Sequence, residues 1–227
     1  MSTAPSSPPT RFAVALFPGF QALDVFGPLD ILNTLSTQVP LSLTILSTSL
    51  APVSTATPAA GGPSTAQSVV PTRTYADANV DVDVEVLLVP GGAGTRDPAN
   101  VAQVEDYVRR AYPKLRYLLT VCTGSALVAR TGVLDGRRAT SNKRAWEWAT
   151  AQGPRVNWVP RARWVTDGNV WTSSGISAGI DMMYAFVADQ FGEDVAQTLA
   201  DDAEYVRNTD PDDDPFAAGE GKNGVAK

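Results

Sequence analysis

Apolar and polar positions along the chain follow two patterns, one of which predicts β-strands and the other helices. The two patterns alternate along the sequence. Short apolar runs, or runs that alternate with polar residues, predict β-strands. The predicted strands are 12–17, 41–47, 84–89, 116–121, 163–166 and 170–173. Segments in which apolar residues recur every three or four positions predict helices. The predicted helices are 22–35, 99–112, 123–131, 143–152, 177–191 and 193–206.

Strands that alternate with helices predict an α/β fold with a mostly parallel sheet covered by helices on both faces. The run 84–89 is continuously apolar, as expected for a strand buried on both faces. Asp167-Gly168-Asn169 is a turn signal that predicts a hairpin between the last two strands. Ligands of such sheets bind beyond the carboxyl ends of the strands, so we expect the functional site there.

Three segments are rich in small polar residues, Pro and Gly, or in acidic residues, and we predict them to be poorly ordered. They are an N-terminal tail at 1–10, an insertion at about 51–68 and an acidic C-terminal tail at 207–227. Residues 11–206 are then one domain, which carries the low-complexity insertion on its surface.

The composition excludes several classes of protein. The 227 residues carry a net charge of −6 and no basic run, so we expect no nucleic-acid partner. We find no signal peptide and no apolar run of membrane-spanning length, and we expect a cytoplasmic protein. One Cys and no His exclude an internal disulfide, a Ser-His-Asp triad, a Cys-His dyad and an imidazole zinc site.

Cys122 follows the strand at 116–121 directly, and small residues after it begin a helix. A sharp strand-to-helix turn of this kind is a nucleophile elbow, which pushes one side chain out of the sheet. The free N–H groups of the helix N-terminus favour a thiolate. The alternative is a buried structural cysteine, which is common for a single Cys.

Two further features point to the same edge of the sheet. Gly91 and Gly92 end the strand at 84–89, where their backbone amides can approach a ligand and supply an oxyanion hole. Asp24 lies in an apolar helix start, and burial there raises the pKa of a carboxyl so that it can share a proton with a thiol. The alternatives are a simple turn for the glycines and a helix-start acid for Asp24.

Taken in order, these motifs resemble the ThiJ/PfpI superfamily, and among its branches the isocyanide hydratases. The resemblance covers roughly residues 11–206. The motifs are Phe17-Pro18-Gly19-Phe20 through Asp24 and Gly27-Pro28, Val89-Pro90-Gly91-Gly92, Val121-Cys122-Thr123-Gly124-Ser125, Gly132-Val133-Leu134-Asp135-Gly136-Arg137-Arg138-Ala139-Thr140, and Asp167-Gly168-Asn169 leading to Gly175-Ile176-Ser177-Ala178-Gly179-Ile180-Asp181.

The resemblance implies a flavodoxin-like three-layer sandwich, a homodimer, a small-molecule substrate and no metal or organic cofactor. It implies a reaction in which a thiolate attacks an isocyanide and water releases an N-substituted formamide. Cys122 matches the nucleophile, Asp24 the acid that manages protons, and Thr123 the residue whose hydroxyl and amide hold substrate or water. The substrate and oxyanion positions are Gly91, Gly92, Gly124 and Ile176, and the secondary positions are Asn142 and Gly175.

Two departures of this sequence from the family pattern concern a missing histidine. Peptidase-like members have His directly after the cysteine, where this chain has Thr123, so peptidase and glutaminase activities are not expected. Many hydratase-like members have a His where this chain has Asn142, which cannot transfer a proton.

Three alternatives to a hydratase stay open at this point. One is a glyoxalase or deglycase acting on reactive carbonyls, although such enzymes usually use the missing base. Another is a non-catalytic sensor in which Cys122 is oxidised by peroxide. The third is a ligand-sensing domain of a transcriptional regulator, which also carries DNA-binding helices that we do not expect in this sequence.

Overall fold

The architecture is taken from a computed structural model that describes residues 7–57, 65–77, 79–80 and 82–217. A seven-stranded sheet has the strand order β10-β11-β7-β6-β1-β2-β5. Two further two-stranded sheets are β3-β4 and β8-β9. The strands are β1 (Arg11–Ala15), β2 (Ser42–Ser47), β3 (Val53–Ser54), β4 (Ser68–Val69), β5 (Arg73–Thr74), β6 (Val86–Val89), β7 (Tyr117–Thr120), β8 (Arg138–Ala139), β9 (Asn157–Trp158), β10 (Trp164–Asp167) and β11 (Val170–Ser173).

The large sheet is mostly parallel, as the alternation of strands and helices predicts. Neighbouring strands from β11 to β5 pair in parallel, and β10 pairs with β11 in antiparallel fashion around the predicted hairpin turn. Thr120 of β7 lies opposite Val89 of β6 and Thr172 of β11. Three neighbouring strands therefore end close together beside Cys122.

Helices cover both faces of the sheet, which confirms the predicted fold class. The helices α1, α5 and α6 contact one another, and α3 contacts both α2 and α4. Among the described residues, none of the helices is both long and apolar enough to cross a membrane. The helices are α1 (Ala22–Leu35), α2 (Pro98–Ala111), α3 (Gly124–Ala129), α4 (Trp146–Ala151), α5 (Ala178–Phe191) and α6 (Glu193–Asp202).

The core lies between the sheet and these helices. Every residue of β6 and β11 is buried, because both strands have a neighbouring strand on each side and contact a helix, α3 for β6 and α5 for β11. The packing is tight between α1 and α5, where a Cβ on Gly27 would lie 2.7 Å from Ile180 Cγ1. This close approach fixes the start of α1, and with it Asp24, against the sheet.

Part of the predicted low-complexity insertion at 51–68 is ordered. Val53 and Ser54 pair with Val69 and Ser68 as an antiparallel hairpin. The Ser54 carbonyl accepts a hydrogen bond from the Gly19 amide at 2.9 Å, which attaches the hairpin to the loop after β1. The prediction of poor order is therefore wrong for 51–57 and 65–68, and residues 58–64 lie outside the described residues.

Part of each predicted terminal tail is also ordered. At the N-terminus, the Thr10 amide donates to Glu85 Oε2 at 2.9 Å. Toward the C-terminus, backbone hydrogen bonds hold the segment 207–217 against the domain. For example, the Pro211 carbonyl accepts from the Arg163 amide at 2.6 Å. The prediction of a disordered tail is wrong for 7–10 and 207–217, whereas 1–6 and 218–227 lie outside the described residues.

Candidate functional site

Cys122 occupies the turn between β7 and α3 with a positive φ of 59°, a left-handed conformation that non-glycine residues rarely adopt. Its amide donates to the Ser174 carbonyl at 3.2 Å. Its carbonyl accepts from the hydroxyls of Ser125 and Ser141, each at 3.1 Å. These three hydrogen bonds hold the strained backbone, so the predicted nucleophile elbow is present.

Gly124 allows this turn to lie against the end of β6. A Cβ at this position would lie 2.3 Å from the Val89 carbonyl oxygen and 2.8 Å from the Pro90 carbonyl oxygen. No side chain fits such a space without moving the backbone. Gly124 thus serves the geometry of the elbow rather than binding substrate directly.

Asp24 lies in the first turn of α1, fully buried, and its carboxyl faces the elbow. Its Oδ2 accepts a hydrogen bond from the Gly91 amide at 2.8 Å. Burial raises the pKa of Asp24 to about 7, although the Gly91 amide and the Cys122 thiol both lower it. The other oxygen, Oδ1, has no partner of ordinary hydrogen-bond geometry among the described residues, which leaves it free to share a proton.

The Cys122 thiol is 5% exposed, and its pKa is raised to about 12 by burial and by the charge of Asp24. Hydrogen bonds from the Thr123 amide, the Asn142 side chain and the Ile176 amide act in the opposite direction. Above about pH 7, Asp24 and Cys122 therefore hold one proton between them, on the thiol, and below that pH the carboxyl takes up a second one. The site therefore keeps Cys122 as a thiol, not a free thiolate, in the resting protein.

Asn142 donates from Nδ2 to Cys122 Sγ at 3.0 Å. The orientation of its amide is fixed, because Oδ1 accepts from the Ala145 amide at 3.0 Å and so Nδ2 must face the sulfur. A Cβ on Gly175 would lie 2.4 Å from Asn142 Nδ2, so the glycine provides the space for this amide. Asn142 stabilises negative charge on sulfur but cannot accept its proton.

The predicted oxyanion hole at Gly91 and Gly92 is not formed, because both amides are already occupied. The Gly91 amide donates to Asp24, and the Gly92 amide donates to the Thr123 hydroxyl at 3.1 Å. That hydroxyl is buried and lies 3.2 Å from the Thr95 hydroxyl, so it connects loops rather than facing a pocket. The glycines position the acid and the elbow, and the amides nearest the sulfur are those of Thr123 and Ile176.

The sequence of the chain matches the model of the DJ-1/PfpI family over residues 10–189. The chain belongs to the DJ-1/PfpI family. This confirms the resemblance to the ThiJ/PfpI superfamily that the sequence motifs indicated.

Similar proteins of this family differ in what their names describe. An isonitrile hydratase of Pseudomonas putida is 34% identical over 192 residues, which take in 84% of this chain and 76% of that protein. An HTH-type transcriptional regulator of Rhizobium meliloti is 38% identical over 85 residues, only 36% of this chain and 25% of the regulator. A THiJ/PfpI family protein of Pseudomonas syringae superposes with a TM-score of 0.69 at 26% identity, covering 95% of this chain and 81% of that one.

In this DJ-1/PfpI protein, a cavity of about 250 Å³ adjoins the groups that donate hydrogen bonds to the thiol. Asn142 and Ile176, which both donate to the sulfur, line it together with Gly175. The cavity wall also includes Lys143 and Phe216, which sequence reasoning missed. Lys143 directly follows Asn142, but no sequence signal connected Phe216 with the site.

All nine predicted site residues meet at this edge of the sheet, either around the thiol or around the groups that hold it. No three side chains of the metal-ligating types His, Cys, Asp and Glu come together within the described ranges. The arrangement brings together a thiol at a strained turn, a buried carboxyl of raised pKa, and three donors directed at the sulfur.

Proposed function

We propose that this protein is an isocyanide hydratase-like lyase that converts an isocyanide and water into an N-substituted formamide. The observation that carries the proposal is the buried Asp24–Cys122 pair at a strained elbow, which holds one proton above about pH 7. The 34% identity to an isonitrile hydratase over most of the chain supports the same reaction. No cofactor takes part in the proposed steps.

The first half of the reaction uses the shared proton twice. As Cys122 Sγ forms a bond with the terminal isocyanide carbon, the thiol proton moves to the Asp24 carboxylate. Asp24 then returns that proton to the same carbon, which gives a thioimidate on Cys122. The amides of Thr123 and Ile176 and the side chain of Asn142 stabilise the negative charge on sulfur during attack.

The second half is hydrolysis of the thioimidate. Water adds to the carbon, and Asp24 takes one water proton and delivers it to the nitrogen. The carbon–sulfur bond then breaks, the sulfur leaves as thiolate, and the remaining hydroxyl proton returns to the Asp24–Cys122 pair as the formamide carbonyl forms. One water molecule is consumed, and the enzyme is restored.

The geometry gives less support to the alternatives. A peroxide sensor needs an exposed thiol with a lowered pKa, whereas Cys122 is 5% exposed and its pKa is raised. A glyoxalase or deglycase of this family usually uses a histidine, and the chain has none; Asn142 donates to the sulfur where a base would be needed. The homodimer and the cytoplasmic location stay predictions.

The experiment that tests the proposal is a substrate panel of alkyl and aryl isocyanides and α-dicarbonyls, assayed with the wild type and Cys122→Ala. We expect formamide release from isocyanides by the wild type and none above background by the variant, because no other thiol is present. Turnover of dicarbonyls alone would replace the proposal with a glyoxalase. Turnover of neither class would remove the hydratase assignment.

The pH dependence of the reaction provides a second prediction. Asp24 must be ionised to accept the thiol proton, and burial raises its pKa to about 7. We therefore expect kcat/KM to fall about tenfold per pH unit below pH 7 and to level off above it. The measurement is kcat/KM between pH 5 and 9, with the uncatalysed hydration subtracted. A profile that is flat down to about pH 5 would mean that Asp24 ionises normally.

A further inference from the structure

The C-terminal segment 207–217, which the sequence predicts to be disordered, is tied to the domain next to the active site. The Asn208 amide donates to Asp181 Oδ1 at 3.0 Å. Lys143 Nζ and Asp214 Oδ2 form an ion pair at 3.6 Å, and the Asp214 side chain is 1% exposed. A buried carboxylate requires a partner of opposite charge, so this contact fixes the end of the segment.

This attachment places an aromatic side chain at the wall of the active-site cavity. Asp214 Oδ1 accepts a hydrogen bond from the Phe216 amide at 3.0 Å, which turns the chain back toward the domain. Phe216 lines the cavity of about 250 Å³ together with Asn142 and Ile176. Its ring is nevertheless exposed, since the residue is 68% accessible to solvent.

The geometry of an isocyanide connects this ring with the proposed reaction. The R–N≡C group is linear, so a substrate whose terminal carbon touches Cys122 Sγ directs its substituent straight away from the sulfur. Two of the donors around the sulfur, Asn142 and Ile176, line the same cavity as Phe216. An exposed phenyl ring there gains free energy when an apolar substituent covers it.

We propose that Phe216 contacts the N-substituent of the substrate and selects isocyanides with apolar aryl or bulky alkyl groups. Asp214 is a positioning residue that holds Phe216 in the wall through Lys143 and through the turn. The identity of the substrate as an isocyanide rests on the proposed hydratase function. The contact with Phe216 is expected for any reagent that carries an apolar group to Cys122.

The direct test compares phenyl isocyanide with methyl isocyanide in the wild type, Phe216→Ala, Asp214→Ala and Val206→Ala. Val206 is the matched control. It is an apolar residue that directly precedes the segment 207–217, it is 91% exposed, and it does not line this cavity. In Phe216→Ala we expect KM for the phenyl substrate to rise about five- to tenfold, with kcat within about twofold and the methyl substrate unaffected. Asp214→Ala should show the same split, and Val206→Ala none.

A second measurement keeps the inference testable if no isocyanide is turned over. The rates at which N-phenylmaleimide and N-methylmaleimide alkylate Cys122 give a ratio that needs no hydratase activity. We expect Phe216→Ala and Asp214→Ala to lower the phenyl-to-methyl ratio several-fold and Val206→Ala to leave it unchanged. An unchanged ratio in Phe216→Ala, or a KM increase shared equally by both isocyanides, would overturn the assignment of Phe216.

Discussion

Asp24→Asn is expected to lower kcat for isocyanide hydration by about 100-fold or more, the usual effect of losing a general acid–base group. The substitution keeps the size of the side chain and an oxygen that accepts from the Gly91 amide. It removes the only carboxyl that bonds the Cys122 thiol among the described residues. The thiol then has no base to take its proton, and the carbanion formed by attack has no acid beside it.

The control for this variant is Asp30→Asn, which removes an exposed acid from the same helix. We expect Asp30→Asn to keep wild-type kcat, so a loss confined to Asp24→Asn cannot be attributed to a general change of charge in α1. Formamide release under saturating substrate is the measurement. Wild-type turnover by Asp24→Asn would return Asp24 to the alternative of a helix-start acid.

The same variant should be more stable than the wild type above neutral pH. Burial raises the pKa of Asp24 from 3.8 to about 7, so the folded state binds this proton more tightly than the unfolded state does. The wild type therefore loses stability as pH rises from about 4 to about 7, by up to about 4 kcal/mol. Asn carries no such charge. Urea unfolding at pH 5 and pH 8 should show the advantage of Asp24→Asn growing with pH.

This opposition of stability and activity is typical of an active site that retains a costly buried acid. If Asp24→Asn lost both activity and stability at pH 8, the activity loss would reflect damaged packing instead. The pH comparison therefore separates a proton-transfer role from a structural one, which the turnover assay alone does not do.

The elbow and the sheet were predictable because they depend on local sequence. The apolar run before Cys122 and the small residues after it allow few conformations other than a strand, a sharp turn and a helix. Cys122 indeed has a φ of 59°, and α3 starts two residues later. Asp24 was a candidate for a similar reason, since a single acid in an apolar helix start is costly to bury as an anion and its burial points to a function.

The direction of backbone amides and the order of the C-terminal segment were not predictable from the sequence. Gly91 and Gly92 were assigned as oxyanion donors because glycine permits close approach, but only the three-dimensional arrangement shows that Asp24 and Thr123 occupy their amides. Residues 207–217 have the composition of a disordered tail. Their order comes from buried partners distant in sequence, such as Lys143, which no local pattern reveals.

Asp181→Ala is expected to lower the free energy of unfolding by about 3–5 kcal/mol, the cost of removing one partner of a buried ion pair. The Asp181 side chain is 1% exposed, and its Oδ2 accepts from Arg163 Nε at 2.7 Å. Its Oδ1 accepts from the Tyr205 hydroxyl at 2.9 Å and from the Asn208 amide at 3.0 Å. Alanine leaves two partly buried donors and the buried, charged guanidinium without their acceptor.

The loss should extend from stability to the site, because Arg163 connects Asp181 with the elbow. The Arg163 carbonyl accepts from the Ser174 amide at 2.7 Å, and the Ser174 carbonyl accepts from the Cys122 amide at 3.2 Å. We therefore expect Asp181→Ala to reduce isocyanide turnover even at temperatures where it stays folded. Asp202→Ala, which removes an exposed acid at the end of α6, is the matched control and should change neither quantity appreciably.

A double variant shows whether the stability loss in Asp181→Ala comes from the unpaired charge of Arg163 or from loosened packing of residues 207–217. If the cost of Asp181→Ala arises from an unpaired buried guanidinium, then replacing Arg163 by Met as well should recover a large part of the lost stability, since an apolar pair needs no partner. If it arises from loosening residues 207–217, the double variant should be no better than the single one. Chemical denaturation of the wild type, both single variants and the double variant gives the coupling between the two residues. A loss below about 1 kcal/mol in Asp181→Ala would show that water replaces the carboxylate and that the pair is not a structural link to the elbow.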